Sequence, residues 1–265
     1  MAKTSVKLPI AIRELSDFNE SINLLVYGDS GVGKTVLCGG APSALFLSTE
    51  TGTISAKRQG SKAKVWRMVN WKTLEEAYIW IRDNPDHGFE WIILDSVTKM
   101  QQQLIRHTLE QRVLRREDSD EDVPEIADYQ KFQNKFRRFI TNFIELPVNV
   151  IFTATAMRRE DEEGDDLVLP SIEGKGYAIA NFACAEMDAV LYYGMKTVKG
   201  KTIRRLVCQP VSPYFAKDRF DALGRWIDDP TMPDIIKMIE SSSTEPRPDT
   251  TPVIDDDEDI DFDDE

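Results

Sequence analysis

The 265-residue chain is long enough for one large domain with appendages. Its three cysteines show neither metal-binding nor redox spacing, and their odd number argues against a disulfide framework. No apolar run has the length of a membrane span or signal peptide. We therefore expect a protein of the reducing cytoplasm. The formal net charge of −13 does not exclude a nucleic-acid partner, because the last eleven residues alone contain nine acids and no base.

The first predicted elements are a buried strand over residues 22–27 and a phosphate-binding loop directly after it. The loop matches the P-loop pattern G-x-x-x-x-G-K-[ST] and consists of Gly28, Asp29, Ser30, Gly31, Val32, Gly33, Lys34 and Thr35. A helix is predicted to begin at Thr35, so glycines connect a strand to a helix and let backbone N–H groups approach a di- or triphosphate. In such a loop Lys34 reaches the β- and γ-phosphates and the Thr35 hydroxyl binds Mg²⁺. The alternative is a chance glycine-rich turn, which the flanking strand and helix disfavour.

Strand-like and helix-like segments alternate after the P-loop. Apolar runs predict strands over 43–49, 64–69, 90–96, 148–156 and 187–193. Amphipathic patterns predict helices over 70–83, 99–117 and 128–145. Thr73 and Glu76 have the spacing of a capping box for the first of these helices, and a hairpin is expected to turn at Gly200. The alternation predicts an α/β fold, a mostly parallel sheet with helices on both faces and a C-terminal β-hairpin.

Two acidic residues follow predicted strands at the edge of the sheet where the P-loop lies. Asp95 ends the segment WIILD, a Walker B form that brings a carboxylate to the P-loop, where it can bind Mg²⁺ through water. Glu50 follows the strand at 43–49, and a carboxylate there can face the γ-phosphate and orient the attacking water. The alternative for each is an acid that merely ends a strand or begins a helix. With the P-loop, the two acids predict a Mg²⁺-dependent triphosphate hydrolase.

The ordered set of the P-loop, Glu50, Asp95 and the strand VIFTATA resembles the core of the RecA-like P-loop ATPases. Most P-loop ATPases carry the catalytic acid next to the Walker B aspartate, whereas Ser96 follows Asp95 here and the acid ends the neighbouring strand. Within the RecA branch, the chain is most similar to the short phage RecA-like recombinases that help to anneal or pair single-stranded DNA. The resemblance implies ATP and Mg²⁺ as cofactors, single-stranded DNA as a partner and a phage-encoded protein in a bacterial host.

The same resemblance assigns roles to further residues. Lys217 and Arg219 look like the cation pair that enters the neighbouring subunit's nucleotide site in hexameric and filamentous RecA-like ATPases, which implies a homo-oligomer with the ATP site at the subunit interface. Thr155, or alternatively Thr153, stands where RecA-like proteins place a polar γ-phosphate sensor, although threonine is shorter than the usual glutamine or histidine. The catalytic candidates are therefore Lys34, Glu50, Thr155, Lys217 and Arg219.

The regions matching the DNA-contacting loops of RecA-like proteins are residues 112–128 and 156–176. Each opens with a basic pair and then becomes acidic, which weakens phosphate binding and predicts flexible loops. The helix between them carries a basic stripe opposite its phenylalanine face, for which an ordinary solvated surface is the alternative. The candidate DNA contacts are Arg115, Arg116, Lys131, Lys135, Arg138, Arg158 and Arg159. We expect them to bind the backbone of single-stranded DNA in a salt-dependent way.

The predicted domains are an N-terminal extension (1–20), the ATPase domain (21–240) and a disordered linker with an acidic tail (241–265). The end of the tail is similar to the acidic tips of single-strand-binding and RecA-type proteins. This resemblance implies either that the tail covers the protein's own basic surface or that it contacts a single-strand-binding or replication protein through Phe262. A solubilising tail is the alternative.

Two functions are consistent with these features. The first is an ATP-hydrolysing protein that acts on single-stranded DNA in phage-type recombination, annealing or repair. The second is a nucleotide-switched assembly factor, such as a helicase loader, without direct DNA contact, which the acidic loops favour. A small-molecule kinase would need an arginine-rich lid and an acceptor pocket, and the sequence contains no evident form of either.

Overall fold

The computed structural model describes residues 21–115, 124–160, 163–198 and 200–242. The strands within these ranges are β1 (Asn23–Gly28), β2 (Ala44–Ser48), β3 (Lys64–Arg67), β4 (Trp91–Asp95), β5 (Asn149–Glu160), β6 (Asp166–Pro170), β7 (Ala189–Val198), β8 (Lys201–Val207), β9 (Lys217–Asp218) and β10 (Trp226–Asp228). The helices are α1 (Lys34–Cys38), α2 (Thr53–Arg58), α3 (Trp71–Asp83), α4 (Val97–Val113), α5 (Ile126–Ile144), α6 (Ala178–Glu186) and α7 (Met232–Ser242).

One mixed sheet organises the molecule. Strands β7, β1, β5, β4, β2 and β3 lie side by side and parallel, and β8 and β10 extend the sheet antiparallel beyond β7. The predicted C-terminal hairpin is formed by β7 and β8. Because parallel strands share their direction, the C-terminal ends of β1, β2, β4 and β5 meet at one edge, where ligands bind in such sheets. The predicted fold class, an α/β P-loop core with a mostly parallel sheet and a C-terminal β-hairpin, is confirmed.

Helices cover both faces of this sheet. Side chains of β1 alternate between the faces, with Leu25 and Tyr27 in one buried cluster and Leu24 and Val26 in the other. The first cluster includes side chains of α3, α4, α5 and α6, and the second includes side chains of α1 and α7. The predicted inward face of α5 is buried and consists of Phe132, Phe136, Phe139 and Phe143. The apolar repeat in this helix therefore packs it against the sheet.

The N-terminus of α3 differs from its predicted form. The helix begins at Trp71 and is capped by Asn70, whose side-chain oxygen accepts a hydrogen bond from the Thr73 N–H at 2.9 Å. Trp71, the first residue of the helix, is 4% exposed and packs in the core, so the helix begins two residues before Thr73, the first residue of the predicted capping box. The capping box of Thr73 and Glu76 was therefore wrong, because Asn70 supplies the acceptor that the helix end needs.

The segment at 156–176, which we predicted to be a flexible loop, contains a β-hairpin. β5 continues to Glu160 and pairs antiparallel with β6, from Ala156 opposite Pro170 to Glu160 opposite Asp166. Val168 and Leu169 of β6 are buried in the main core, which holds the hairpin against the sheet. The many acidic residues of this segment led to the prediction of a loop, although Val168 and Leu169 are apolar and buried.

The described chain ends at Ser242, the last residue of α7. The N-terminal extension at 1–20 and residues 243–265, with Phe262, lie outside the described residues. None of the helices in the described ranges combines the length and apolar character that a bilayer crossing requires.

Candidate active site

The P-loop connects β1 to α1 and has the backbone conformation that its glycines allow. Gly31 and Gly33 have φ angles of 83° and 107°, a region that residues with a Cβ rarely adopt. Gly28 is needed for a different reason, because a Cβ there would lie 2.0 Å from the backbone oxygen of Tyr193 in β7. The loop is therefore shaped partly by its own turn and partly by close contact with the neighbouring strand.

Lys34, at the first position of α1, points back over the loop. Its Nζ atom donates hydrogen bonds to the backbone oxygens of Gly28 and Asp29, both at 2.8 Å. Burial lowers the pKa of the Lys34 ammonium group, and the nearby carboxylates of Asp95 and Glu50 act in the opposite direction. The ammonium group thus lies within the loop, where it can exchange backbone acceptors for phosphate oxygens.

Asp95 ends β4 and is bound by two hydroxyl groups. Its Oδ2 atom accepts from Thr35 Oγ1 at 3.0 Å, and its Oδ1 atom accepts from Thr153 Oγ1 at 2.7 Å. Asp95 is 4% exposed, and burial raises the pKa of its carboxyl group while the hydrogen bonds from Thr153 and Thr35 oppose that rise. The structure therefore brings the predicted metal-binding pair of Thr35 and Asp95 into direct contact.

Glu50 lies just beyond β2, which is paired with β4 so that Ser48 is opposite Asp95. Its Oε1 atom is 3.3 Å from Ser96 Oγ, which donates a hydrogen bond, and 3.3 Å from Lys99 Nζ. The side chain is 34% exposed, so solvent reaches it. The first turn of α4 thus orients this carboxylate, a contact that the sequence did not indicate.

The two candidate sensor threonines have different surroundings. Thr153 contacts Asp95, whereas the N–H and hydroxyl of Thr155 lie 3.2 Å and 3.4 Å from Thr98 Oγ1. Alternate residues of a strand point to the same face, so both threonines share the face of Ile151, whose buried cluster includes side chains of α1 and α7. Thr153 is the one that positions the candidate metal ligand.

Arg204 is a residue at the site that sequence reasoning missed. Its Nε atom donates to the backbone oxygen of Val32 at 3.0 Å, and its own N–H donates to Asp229 at 3.0 Å. A cleft of about 350 Å³ beside Gly33 is bordered by Tyr193, Arg204 and Asp229. It offers room next to the phosphate loop for the nucleoside part of a nucleotide. No local motif marks Arg204, because it meets the P-loop only through the folding of the hairpin.

Lys217 and Arg219 lie near the N-terminal ends of the parallel strands, whereas their own P-loop lies at the C-terminal ends. Lys217 is paired with Val190 near the start of β7, whereas the P-loop follows the end of the parallel strand β1. Lys217 Nζ donates to the backbone oxygen of Cys184 at 2.6 Å, and Arg219 Nη2 donates to that of Ala185 at 2.6 Å. Both cations therefore bind the C-terminal end of α6 within this chain.

The candidate DNA contacts fall into two groups. Arg115, Lys131, Lys135 and Arg138 lie on or beside the exposed side of α4 and α5, with Lys131 Nζ 3.6 Å from Asp128. A cleft of about 430 Å³ between these helices is lined by Arg115, Lys131 and Lys135 among others. Arg158 and Arg159 lie instead on the β5–β6 hairpin. Arg116 lies outside the described residues.

A family model described as an AAA domain matches residues 20–220, well over half of the chain. The chain belongs to the AAA domain family. This match confirms the coarser part of the prediction, a P-loop ATPase domain.

Several solved structures resemble this AAA-domain chain. The RadB recombinase is 14% identical with a TM-score of 0.45, over 78% of this chain and 86% of its own. A KaiC-like protein from the hyperthermophilic archaeon Pyrococcus horikoshii OT3 is 14% identical with a TM-score of 0.41, over 72% and 79%. The flagellar accessory protein FlaH from Methanocaldococcus jannaschii is 12% identical with a TM-score of 0.37, over 70% and 76%. No curated protein matches the chain. At these TM-scores the structures add nothing to the family match.

The residues at this edge of the sheet fit a nucleotide with Mg²⁺. The glycine backbone leaves the loop open to phosphate oxygens, and Lys34 supplies a cation there. Mg²⁺ usually takes one or two protein oxygen ligands and completes its shell with water and phosphate, which Thr35 and Asp95 can satisfy. Within the described ranges, no group of three or more His, Cys, Asp or Glu side chains is arranged to hold a metal ion.

Proposed function

We propose that the chain is a Mg²⁺-dependent ATPase that acts on single-stranded DNA in phage-type recombination, annealing or repair. The observation that carries the enzymatic part is the contact of Thr35 with Asp95 at 3.0 Å, with Glu50 beyond the end of the adjacent strand. This arrangement supports a metal-binding pair beside a phosphate loop and a separate acid that faces the same space. The DNA-binding part is supported by the exposed cations of α5.

In the proposed reaction Lys34 binds the β- and γ-phosphates, and the oxygens of Thr35 and Asp95 hold Mg²⁺. When bound, Mg²⁺ neutralises charge on the phosphate oxygens. Glu50, oriented by Ser96 and Lys99, accepts a hydrogen bond from the attacking water and aligns it.

Thr153 is proposed to act on the metal site through Asp95. Replacing Thr153 with valine keeps the shape but removes the hydroxyl that donates to Asp95 at 2.7 Å. We expect a roughly tenfold higher Mg²⁺ concentration for half-maximal nucleotide binding, since the partners of metal ligands contribute on that scale. Thr155→Val is the matched control, because Thr155 contacts Thr98 instead. Equal Mg²⁺ requirements in the two variants would contradict the assignment.

The proposed active form is a homo-oligomer in which Lys217 and Arg219 enter the neighbouring subunit's site. Their position at the sheet edge opposite their own P-loop supports action in trans, because they lie far from it along β1 and β7. Arg219 is exposed and 3.4 Å from Asp188, so it could exchange this surface ion pair for phosphate at low cost. The contacts with α6 would hold the pair in position until assembly.

The proposed DNA surface is the exposed side of α5 with Arg115 and Arg159. Lys135 and Arg138 are exposed and one turn apart, and the spacing of a basic stripe suits contacts to successive phosphates. We expect the double variant Lys135→Glu, Arg138→Glu to weaken single-stranded DNA binding by about tenfold or more at low salt. The slope of the logarithm of affinity against the logarithm of salt concentration should become shallower by about two, because two phosphate contacts are lost.

A fluorescence titration with labelled single-stranded DNA at several salt concentrations tests this surface. Lys237→Glu on α7 is the control, because it reverses an exposed charge on the other face of the sheet. Unchanged binding in the double variant, or equal loss in the control, would contradict a DNA site on α5.

The alternative of an assembly factor without DNA contact is supported by the acidic tip of the β5–β6 hairpin. Glu163, Asp165 and Asp166 are all exposed there and would repel a phosphate backbone. The ATPase rate with and without single-stranded DNA separates the two functions. Marked stimulation by DNA supports the recombination ATPase, and no stimulation together with no retained DNA supports the assembly factor.

A further inference from the structure

Arg158 lies against the P-loop, although it is 129 residues away in sequence. Its Nη2 atom is 3.3 Å from Asp29 Oδ2 and its Nη1 atom is 3.5 Å from Asp29 Oδ1. Asp29 directly follows Gly28, so this guanidinium group approaches the phosphate loop from the hairpin side. We infer that Arg158 is a further phosphate-binding residue of the nucleotide site, acting within its own subunit on the terminal phosphate. This inference rests on the nucleotide site of the proposed function.

The hairpin holds Arg158 in this position independently of the ion pair. Arg158 is opposite Val168 in the β5–β6 register, and the backbone oxygen of Val168 accepts a hydrogen bond from the Tyr27 hydroxyl at 2.9 Å. Tyr27 is fully buried and immediately precedes Gly28. The base of the hairpin is closed by the Ser171 N–H, which donates to the backbone oxygen of Thr155 at 2.7 Å. The core of the protein thus fixes the strand that carries Arg158 beside the first residues of the loop.

Two cations meet at Asp29. Lys34 Nζ donates to its backbone oxygen at 2.8 Å, and Arg158 lies against its carboxylate. The guanidinium group is therefore near the part of the loop that the lysine ammonium group spans. A guanidinium carries several N–H donors in a fork that matches phosphate oxygens. It can keep one contact with Asp29 while it donates to a phosphate.

The Arg158 guanidinium group also lies close enough to offset the negative charge of Asp29. A carboxylate in a phosphate-binding loop repels a triphosphate, and a neighbouring guanidinium removes most of that repulsion. Neutralisation alone would affect ADP and ATP in similar ways, whereas contact with the terminal phosphate affects only ATP. Lys237 is exposed on α7, which packs on the other face of the sheet from the hairpin, so it provides a control for the loss of one positive charge.

The test measures the affinities of Arg158→Ala and Lys237→Ala for ADP and for a hydrolysis-resistant ATP analogue, both with Mg²⁺. We expect Arg158→Ala to bind the ATP analogue about tenfold more weakly and ADP within about twofold of the wild type, since one charge-assisted contact is lost. Arg158→Lys should show a smaller loss for the analogue alone, and Lys237→Ala should show none. The Arg158–Asp29 pair is exposed on both sides (58% and 50%), so its removal should leave folding intact.

The double variant Asp29→Asn, Arg158→Ala separates contact from neutralisation. We expect it to keep the preferential loss of ATP affinity. Full recovery of ATP affinity in the double variant, or an equal loss for both nucleotides in Arg158→Ala, would overturn the inference. Failure of the wild-type protein to bind either nucleotide would overturn the nucleotide site as well.

Discussion

Replacing Lys34 with alanine is expected to lower the affinity for ATP by about a hundredfold or more, because the loop loses its central cation and several charge-assisted hydrogen bonds. The Lys34 ammonium group now donates to the backbone oxygens of Gly28 and Asp29. These acceptors become exposed to water in the variant, so the cost falls on phosphate binding and not on folding. Calorimetric titration with ATP and Mg²⁺ measures the change.

The control for this variant is Lys237→Ala, which removes a positive charge from the exposed side of α7. It separates a local effect of Lys34 from the general loss of attraction for an anion. A Lys34→Ala protein that keeps its melting temperature and binds ATP as tightly as the wild type would contradict the assignment of this loop.

The second large effect is expected for Glu50→Gln, which should reduce the turnover number by about a hundredfold to ten-thousandfold while ATP still binds. Glutamine keeps the size of the side chain and can still contact Ser96 and Lys99, which lie 3.3 Å from the Glu50 carboxylate. It cannot accept a proton or attract the attacking water as a carboxylate does. Steady-state ATPase rates and equilibrium ATP affinity, measured on the same preparation, separate the two effects.

Glu90→Gln is the matched control for Glu50→Gln. Glu90 immediately precedes β4 and accepts a hydrogen bond from Ser43 Oγ at 2.9 Å, so it lies at the end of the sheet opposite the P-loop. Its neutralisation should leave the ATPase rate unchanged. Normal turnover in Glu50→Gln would mean that another residue positions the water.

The parts of the fold that the sequence predicted are those with a local signal. The continuous apolar runs of β1 and β4 and the phenylalanine repeat of α5 are local patterns, so their burial follows from the sequence. The P-loop is similarly local, because its glycines and Lys34 are adjacent in the chain. Gly28 could not be explained from the local sequence, because glycine is required there by a backbone oxygen of Tyr193, which lies on the neighbouring strand β7 but far away in the sequence.

The contacts that escaped prediction join residues far apart in the chain. Arg204 reaches Val32 across 172 positions, and Arg158 reaches Asp29 across 129. Neither arginine belongs to a motif, and both depend on how a hairpin packs beside the loop. The β5–β6 hairpin itself was missed because its acidic connection outweighed the apolar residues Val168 and Leu169.

Binding of ATP to the purified protein with and without Mg²⁺ tests the central claim most directly, namely that the loop at 28–35 and the carboxylates of Asp95 and Glu50 form one pocket. We predict saturable binding of one ATP per chain that becomes markedly weaker when Mg²⁺ is removed. No measurable affinity for any nucleoside triphosphate in the presence of Mg²⁺ would contradict that claim and the functions proposed from it.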